Sequence, residues 1–322
     1  MSRRTAGTIL VAVSALAFGL MALFRDLAVQ SGADTETTLF LRFAFAAPVL
    51  VGIAILTRQR FPRGRLLLVV MAMGGALYFA EAWAHYKAME YIPTGLNALL
   101  LYLYPGIVAI LARVVLREKL TPAKIVAILL ATAGLVLTLL PEVLEEGGLA
   151  GRPGGALSAG ITLGIAAAVC YAVYILIGAR LARSLDAIAM AAVVVTSAAV
   201  SFGVLAWLRV PAFPQSAQGW LACIMLALVC TAFAMTAFLA GIARIGPVRG
   251  STLSTLEVLT TVLVGAMILR EPLTVPGIIG GVLILIATVI IARSTTAAMP
   301  APVGAADPAG TPPEDPARAG AA

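Results

Sequence analysis

Four ionisable residues stand deep inside apolar stretches of this chain: Glu257, Glu81, His85 and Arg42. A charged side chain at the centre of a membrane helix costs about 2.5 to 3.5 kcal/mol on insertion scales, so such a group faces protein or water and marks a functional site by default. At about 100° per helical residue, Tyr78, Glu81 and His85 form one polar stripe. Ser254, Glu257 and Thr261 share a second face at i, i+3 and i+7, and Tyr104 shares a third with Asn97. The chemistry open to these groups is proton transfer, ion pairing or the binding of a polar ligand. Arg42 and Glu81 lie at similar depth in neighbouring helices, which predicts that they pair, directly or through water. With His85 the single histidine, no metal centre is expected, and no cofactor is implied.

The elements that must position these residues are membrane helices. The 322 residues are 61% hydrophobic and only 11% charged, with a mean hydropathy of +1.03; a soluble chain runs near 25% charged. Stretches of about 17 to 25 apolar residues, long enough to cross a bilayer, recur ten times, at roughly 5–24, 36–57, 66–89, 93–115, 122–140, 156–179, 187–208, 217–242, 248–269 and 274–292. The first is too long for the apolar region of a secretory signal and reads as a retained helix. Cys170, Cys223 and Cys230 fall inside spans, so no disulfide framework is expected. The formal charge of +7 is dispersed over short loops rather than gathered on one face, which excludes a nucleic-acid surface in favour of the lipid bilayer as partner.

Lys and Arg resist translocation and accumulate in cytoplasmic loops. If the N-terminus is inside, fifteen of them fall on the inner side and five on the outer, with Arg42 and Arg113 within spans. Both termini are therefore expected in the cytoplasm. The excess of Arg over Lys points to a GC-rich bacterium and hence to a bacterial inner (plasma) membrane, in a multi-pass protein.

The hexapeptide Leu-Arg-Glu-Lys-Leu-Thr at 116–121 returns as Leu-Arg-Glu-Pro-Leu-Thr at 269–274, an offset of 153. Applied along the chain, the offset matches Ile92 with Ile245, Leu100 with Leu253, Leu103 with Leu256 and Phe18 with Tyr171. The chain thus divides into a first repeat at 1–141, a Gly-rich outer linker at 142–155, a second repeat at 156–293, and an Ala/Pro/Gly tail at 294–322 that is expected to be disordered in the cytoplasm. Five spans per half is an odd number, so the second half is upside down relative to the first. The fold class is an all-α membrane protein, ten transmembrane helices in two inverted five-helix repeats, the plan of many secondary transporters, whose substrate site lies near the midplane where the repeats meet. The offset places Glu257 opposite Tyr104. Phe18 and Met21 face Tyr171 and Tyr174, and Thr231, Met235 and Phe238 join from span eight, which together outline an aromatic small-molecule pocket. Gly pairs four apart at 160–164 and 277–281 allow close helix contact.

The two halves, each ending in a span followed by Arg-Glu-Lys-Leu-Thr-Pro or Arg-Glu-Pro-Leu-Thr-Val and then a Gly/Ala-rich helix, resemble the twin domains of EamA-type transporters of the drug/metabolite transporter superfamily. The resemblance covers about residues 6 to 293. It implies ten helices around a central cavity, cytoplasmic termini, and export of small polar or amphipathic metabolites, amino acids or related compounds, by alternating access. It also implies a Gly where this chain has Arg117 and Arg270. No G-x-x-x-x-G-K-[ST] loop is present, so an ion gradient is the expected energy source, with protons as the candidate coupling ion and Glu257 and Glu81 as carriers. The alternatives are a non-transporting membrane receptor or scaffold, and efflux of drugs or quaternary amines within the same family. An enzyme is not expected: G-x-S-x-G and H-E-x-x-H are both missing. The oligomeric state stays open.

Overall fold

The computed structural model describes residues 2–88, 90–92, 94–145, 154–269 and 274–293. Among the described residues there are helices and no strands, and ten helical spans are long and apolar enough to cross a membrane. They are span 1 (Arg3–Gln30), 2 (Thr35–Leu56), 3 (Arg65–Ala88), 4 (Leu96–Val115), 5 (Pro122–Leu139), 6 (Ala156–Leu181), 7 (Ala187–Arg209), 8 (Ala217–Ile245), 9 (Pro247–Ile268) and 10 (Val275–Arg293). Span 1 outruns its expected end at residue 24, because a hydropathy count stops at Arg25 and Asp26 while the helix continues through both. The helix of span 5 likewise runs to Glu145, into the expected linker. The rest of that linker up to 153, the second hexapeptide from Arg270 to Leu273, and the tail from 294 lie outside the described residues.

Several backbone irregularities follow the repeat, whereas the break at Leu20 in span 1 and a wide turn at Gly265–Leu269 in span 9 have no counterpart in spans 6 and 4. Span 4 stops being helical at Leu101 and resumes at Tyr104; span 9 stops at Ser254 and resumes at Leu256. Leu101 and Ser254 are 153 apart, the sequence offset itself. Spans 3 and 8 each carry a wide, π-helical turn, at Met73–Tyr78 and Leu228–Phe233. Such turns release main-chain carbonyls and are frequent at functional sites.

At spans 2 and 7 the register slips by one. Asp34 caps span 2 by accepting from Thr37 N (2.6 Å) and also from Ala212 N (2.7 Å) in the loop after span 7. Asp186, 152 residues on, accepts from Arg60 N (2.9 Å) in the loop after span 2. The two contacts are mates under the repeat, one on each face of the molecule.

Packing completes the inverted arrangement. Span 5 lies against span 10 and span 2 against span 7, while span 1 with span 8 mirrors span 6 with span 3. Because lipid offers no hydrophobic drive between helices, small residues and close approach hold such pairs. A Cβ on Gly134 would come 2.6 Å from the carbonyl oxygen of Gly280, which fixes the crossing of spans 5 and 10. Gly160 and Gly164 similarly admit Ile92 and Leu100. Leu56 and Trp207, each 84% exposed, belong to the surface that faces lipid.

Candidate functional site

The broken spans 4 and 9, with spans 1, 3, 6 and 8, enclose a central cavity of about 70 Å³. Glu257 sits ten residues into span 9, about 15 Å from its start at 1.5 Å per residue, half the thickness of a bilayer's hydrocarbon. Ten residues singled out from the sequence line the cavity: Phe18, Met21, Tyr78, Glu81, Tyr104, Tyr171, Tyr174, Met235, Phe238 and Glu257. Leu101 and Tyr102 complete it. The last two were not foreseen, since the break after Leu101 resets the helical face count. Pro105, in the first turn of the resumed helix, is the sequence signal of that break.

The walls are aromatic and ordered by edge contacts. Tyr104 meets Tyr171 at 4.7 Å and 70°, Tyr171 stacks on Tyr174 at 6.1 Å, and Tyr174 meets Tyr78 at 5.8 Å and 69°. Into this ring open two carboxylates, Glu81 and Glu257, neither of which forms an ion pair among the described residues.

Arg42 was expected to pair with Glu81 directly or through water, and the structure bears on the direct form alone. No direct ion pair joins them. The guanidinium is buried, donating from Nε to Thr231 Oγ1 (2.6 Å) and from Nη2 to Tyr78 Oη (3.3 Å) and Cys230 O (3.4 Å). Tyr78 and Thr231 are 153 apart. One cation therefore ties the mated wide turns of spans 3 and 8 together, using the carbonyl and hydroxyl groups that those turns present. Its charge lies behind the tyrosine wall, not in the cavity lining.

Five other residues expected in the cavity are bonded within the helix framework. Asn97 donates to His85 O (2.8 Å) and His85 Nδ1 (3.1 Å), which locks span 4 to span 3. Ser254 donates to Gly250 O (2.9 Å), and Thr261 to Gly19 O and Glu257 O (3.1 Å each), the first of these at the break in span 1. Thr231 holds Arg42 and donates to Leu226 O (2.8 Å). A polar side chain on a helix can bond to a carbonyl of the preceding turn, so sharing a face with Glu257 does not bring Ser254 or Thr261 into the lining.

Between the central cavity and the face carrying the chain's ends, three polar contacts tie the framework together. Lys124 and Glu118 form a buried ion pair at 2.6 Å, Arg4 Nη2 donates to Ala292 O (2.9 Å), and Tyr104 Oη donates to Ser251 O (3.4 Å). A 70 Å³ cavity has room for a few waters, so a larger guest requires the aromatic side chains to move.

Ten spans in two inverted halves, with broken helices meeting at a midplane cavity, define the class of inverted-repeat membrane proteins to which many secondary transporters belong. The model of the EamA-like transporter family matches this chain twice, at residues 5–140 and 158–293, and the chain belongs to that family. It is accordingly a multi-pass membrane protein and a transporter of the drug/metabolite type. A solved crystal structure resembles it with a TM-score of 0.77 at 21% identity, spanning 91% of this chain and 99% of its own, which shows the shared fold. No curated protein matches the sequence.

Proposed function

We propose that this transporter exports small amine-bearing metabolites, amino acids or related compounds, by alternating access with protons as the coupling ion. The reading rests on one observation: two carboxylates without ion-pair partners among the described residues, Glu81 and Glu257, face a cavity walled by tyrosine, phenylalanine and methionine. An ammonium group is attracted by carboxylate charge and by the faces of aromatic rings. Protons and ammonium compete for the same oxygens, so binding of one expels the other and couples the two fluxes. Export, with both termini cytoplasmic, is supported by the family resemblance and by the fifteen Lys and Arg residues on the terminal side against five on the other. On this reading the membrane is the inner membrane of a bacterium.

A second cargo, quaternary amines, is favoured by the same walls, because a cation without N–H donors is still held by ring faces. Proteoliposomes loaded with labelled amino acids or with tetraethylammonium separate the cases under an imposed pH gradient. Amino-acid flux that responds to the gradient supports the proposal; flux indifferent to it rejects the coupling. Absence of flux for every amine tried would leave a receptor or scaffold.

A further inference from the structure

We propose that the molecule carries a second, shallower site that binds a zwitterion, an oxyanion and an ammonium a few ångströms apart. The site is a pocket of about 320 Å³ on the face opposite the chain's ends. Its position follows from the spans: Arg25 is near the end of span 1, Glu36 at the start of span 2, Lys87 at the end of span 3 and Arg209 at the end of span 7. It shares no lining residue with the central cavity.

The charges of this pocket are not mutually satisfied. Lys87 Nζ contacts Glu90 Oε2 at 2.5 Å, and those two neutralise each other. Arg25 reaches Asp26 at 3.3 Å through Nη1, hydrogen-bonds the side chain of Tyr86, whose ring centre lies 5.6 Å away, and keeps a buried Nε with no hydrogen-bond partner. Arg209 and Glu36 form no ion pair among the described residues although both line one pocket. An anion alone would satisfy Arg25 and Arg209 but leave Glu36 facing like charge; a cation alone would do the reverse. A ligand with both charges completes the set, the oxyanion on the two arginines and the ammonium on Glu36. Trp83 and Tyr86 add ring faces suited to an ammonium or a short apolar side chain. Two sources supply this chemistry at the depth where Trp and Tyr gather at membrane interfaces: a soluble amino acid, or the phosphoethanolamine headgroup of a lipid.

Trp83 reports on the pocket directly. Of the three tryptophans in the chain, Trp207 and Trp220 can be changed to Phe, leaving Trp83 as sole emitter in the full-length protein. In maltoside micelles, L-leucine and O-phosphoethanolamine should each change its emission saturably, whereas acetate and methylammonium at equal concentration should not. Arg209→Gln and Glu36→Gln should each weaken the response about tenfold or more, the loss of one charge-assisted contact, and Arg209→Lys should retain most of it. Nanodiscs then identify the source. A leucine response abolished by phosphatidylethanolamine but kept in phosphatidylglycerol assigns the site to the headgroup, and an equal response in both assigns it to the soluble molecule. The proposal is overturned if neither zwitterion gives a saturable change, if acetate acts as well as leucine, or if monodisperse Arg209→Gln and Glu36→Gln proteins bind like the parent. Because binding is read at equilibrium and not as flux, this outcome is independent of whether the central cavity exports amines.

Discussion

Arg42 offers a test in which removing a partner should harm the protein more than removing the charge. Thr231 is fully buried and its hydroxyl serves two roles, accepting from Arg42 Nε at 2.6 Å and donating to Leu226 O at 2.8 Å. Thr231→Val keeps the shape and deletes both bonds. The guanidinium Nε–H is then stranded in a buried site, and Leu226 O loses the hydroxyl donor; an unmet buried polar group costs about 1 to 3 kcal/mol, though bonds between membrane helices often measure below that range. A loss of about 2 kcal/mol is expected. Arg42→Met removes three bonds but also a buried cation, and Thr231 keeps its bond to Leu226 while Tyr78 still opens to the cavity. Replacing a buried charge with an apolar chain of similar size is often close to neutral, so a change within about 1 kcal/mol is expected. The double variant should be more stable than Thr231→Val alone. Reversible unfolding in mixed dodecyl sulfate and maltoside micelles, followed by helical circular dichroism, measures all four corners of the cycle. Equal stability of Thr231→Val and parent, or strict additivity in the double variant, would refute the account of Arg42 as a cation held by mated turns.

Three further outcomes follow from the same geometry. Glu257→Gln keeps the shape of the cavity lining and removes one carboxylate, so amine flux driven by a pH gradient in proteoliposomes should fall at least tenfold, about 1.4 kcal/mol of lost binding, with the elution profile of the parent unchanged. Gly134→Ala places a methyl group 2.6 Å from the carbonyl oxygen of Gly280, a backbone atom that cannot swing aside; overpacking of this kind costs about 1 to 3 kcal/mol, read as a lowered midpoint of thermal unfolding. Arg117 has φ = 52°, a left-handed conformation that costs a non-glycine residue about 1 to 2 kcal/mol. Arg117→Gly should therefore raise stability by about 0.5 to 1 kcal/mol after the entropy cost of glycine, measured in the same unfolding assay.

That last position shows how far the sequence could be read. The turn at 116–121 is recognisable as a repeated motif, and the breaks after Leu101 and Ser254, which hydrophobicity does not mark, fall at the same offset of 153. Span number, inversion and most cavity walls follow from periodicity because apolar runs and one-sided polar stripes are local properties of a helix. Tyr102 and Leu101 escape it because a helical wheel assumes an unbroken helix. The partner of Arg42 escapes it for another reason. Equal depth in neighbouring helices made Glu81 the natural counterion, but a wide turn in span 8 brings the Thr231 hydroxyl and Cys230 carbonyl to the guanidinium, and nothing in the pattern of hydrophobicity marks a π-helical turn. Asn97 and His85, which look like lining from their faces, instead bond to each other through the Asn97 amide nitrogen.

Much of the backbone obeys the repeat, while the charges of the central cavity do not. Broken spans 4 and 9, wide turns in spans 3 and 8, and the reciprocal Asp34 and Asp186 contacts are matched across the two halves. Under the offset of 153, however, Glu257 corresponds to Tyr104, Glu81 to Ala234, and Lys124, which holds Glu118, to Gly277. A symmetric scaffold of inverted halves can exchange its two conformations and so expose one cavity to either side of a membrane in turn. Were the cavity's charges also symmetric, two binding orientations would be degenerate and both faces would close with equal ease. With both carboxylates fixed by single halves, and a buried ion pair on the terminal face whose lysine has a glycine for its mate, binding has one preferred orientation and the two faces differ in what closes them. If the chain works by alternating access as proposed, the residues that break the repeat make its two conformations unequal in energy while the substrate and ion gradients set the direction of net flux, and a substitution at Lys124 should shift the balance between the two conformations without touching the cavity that Glu81 and Glu257 line.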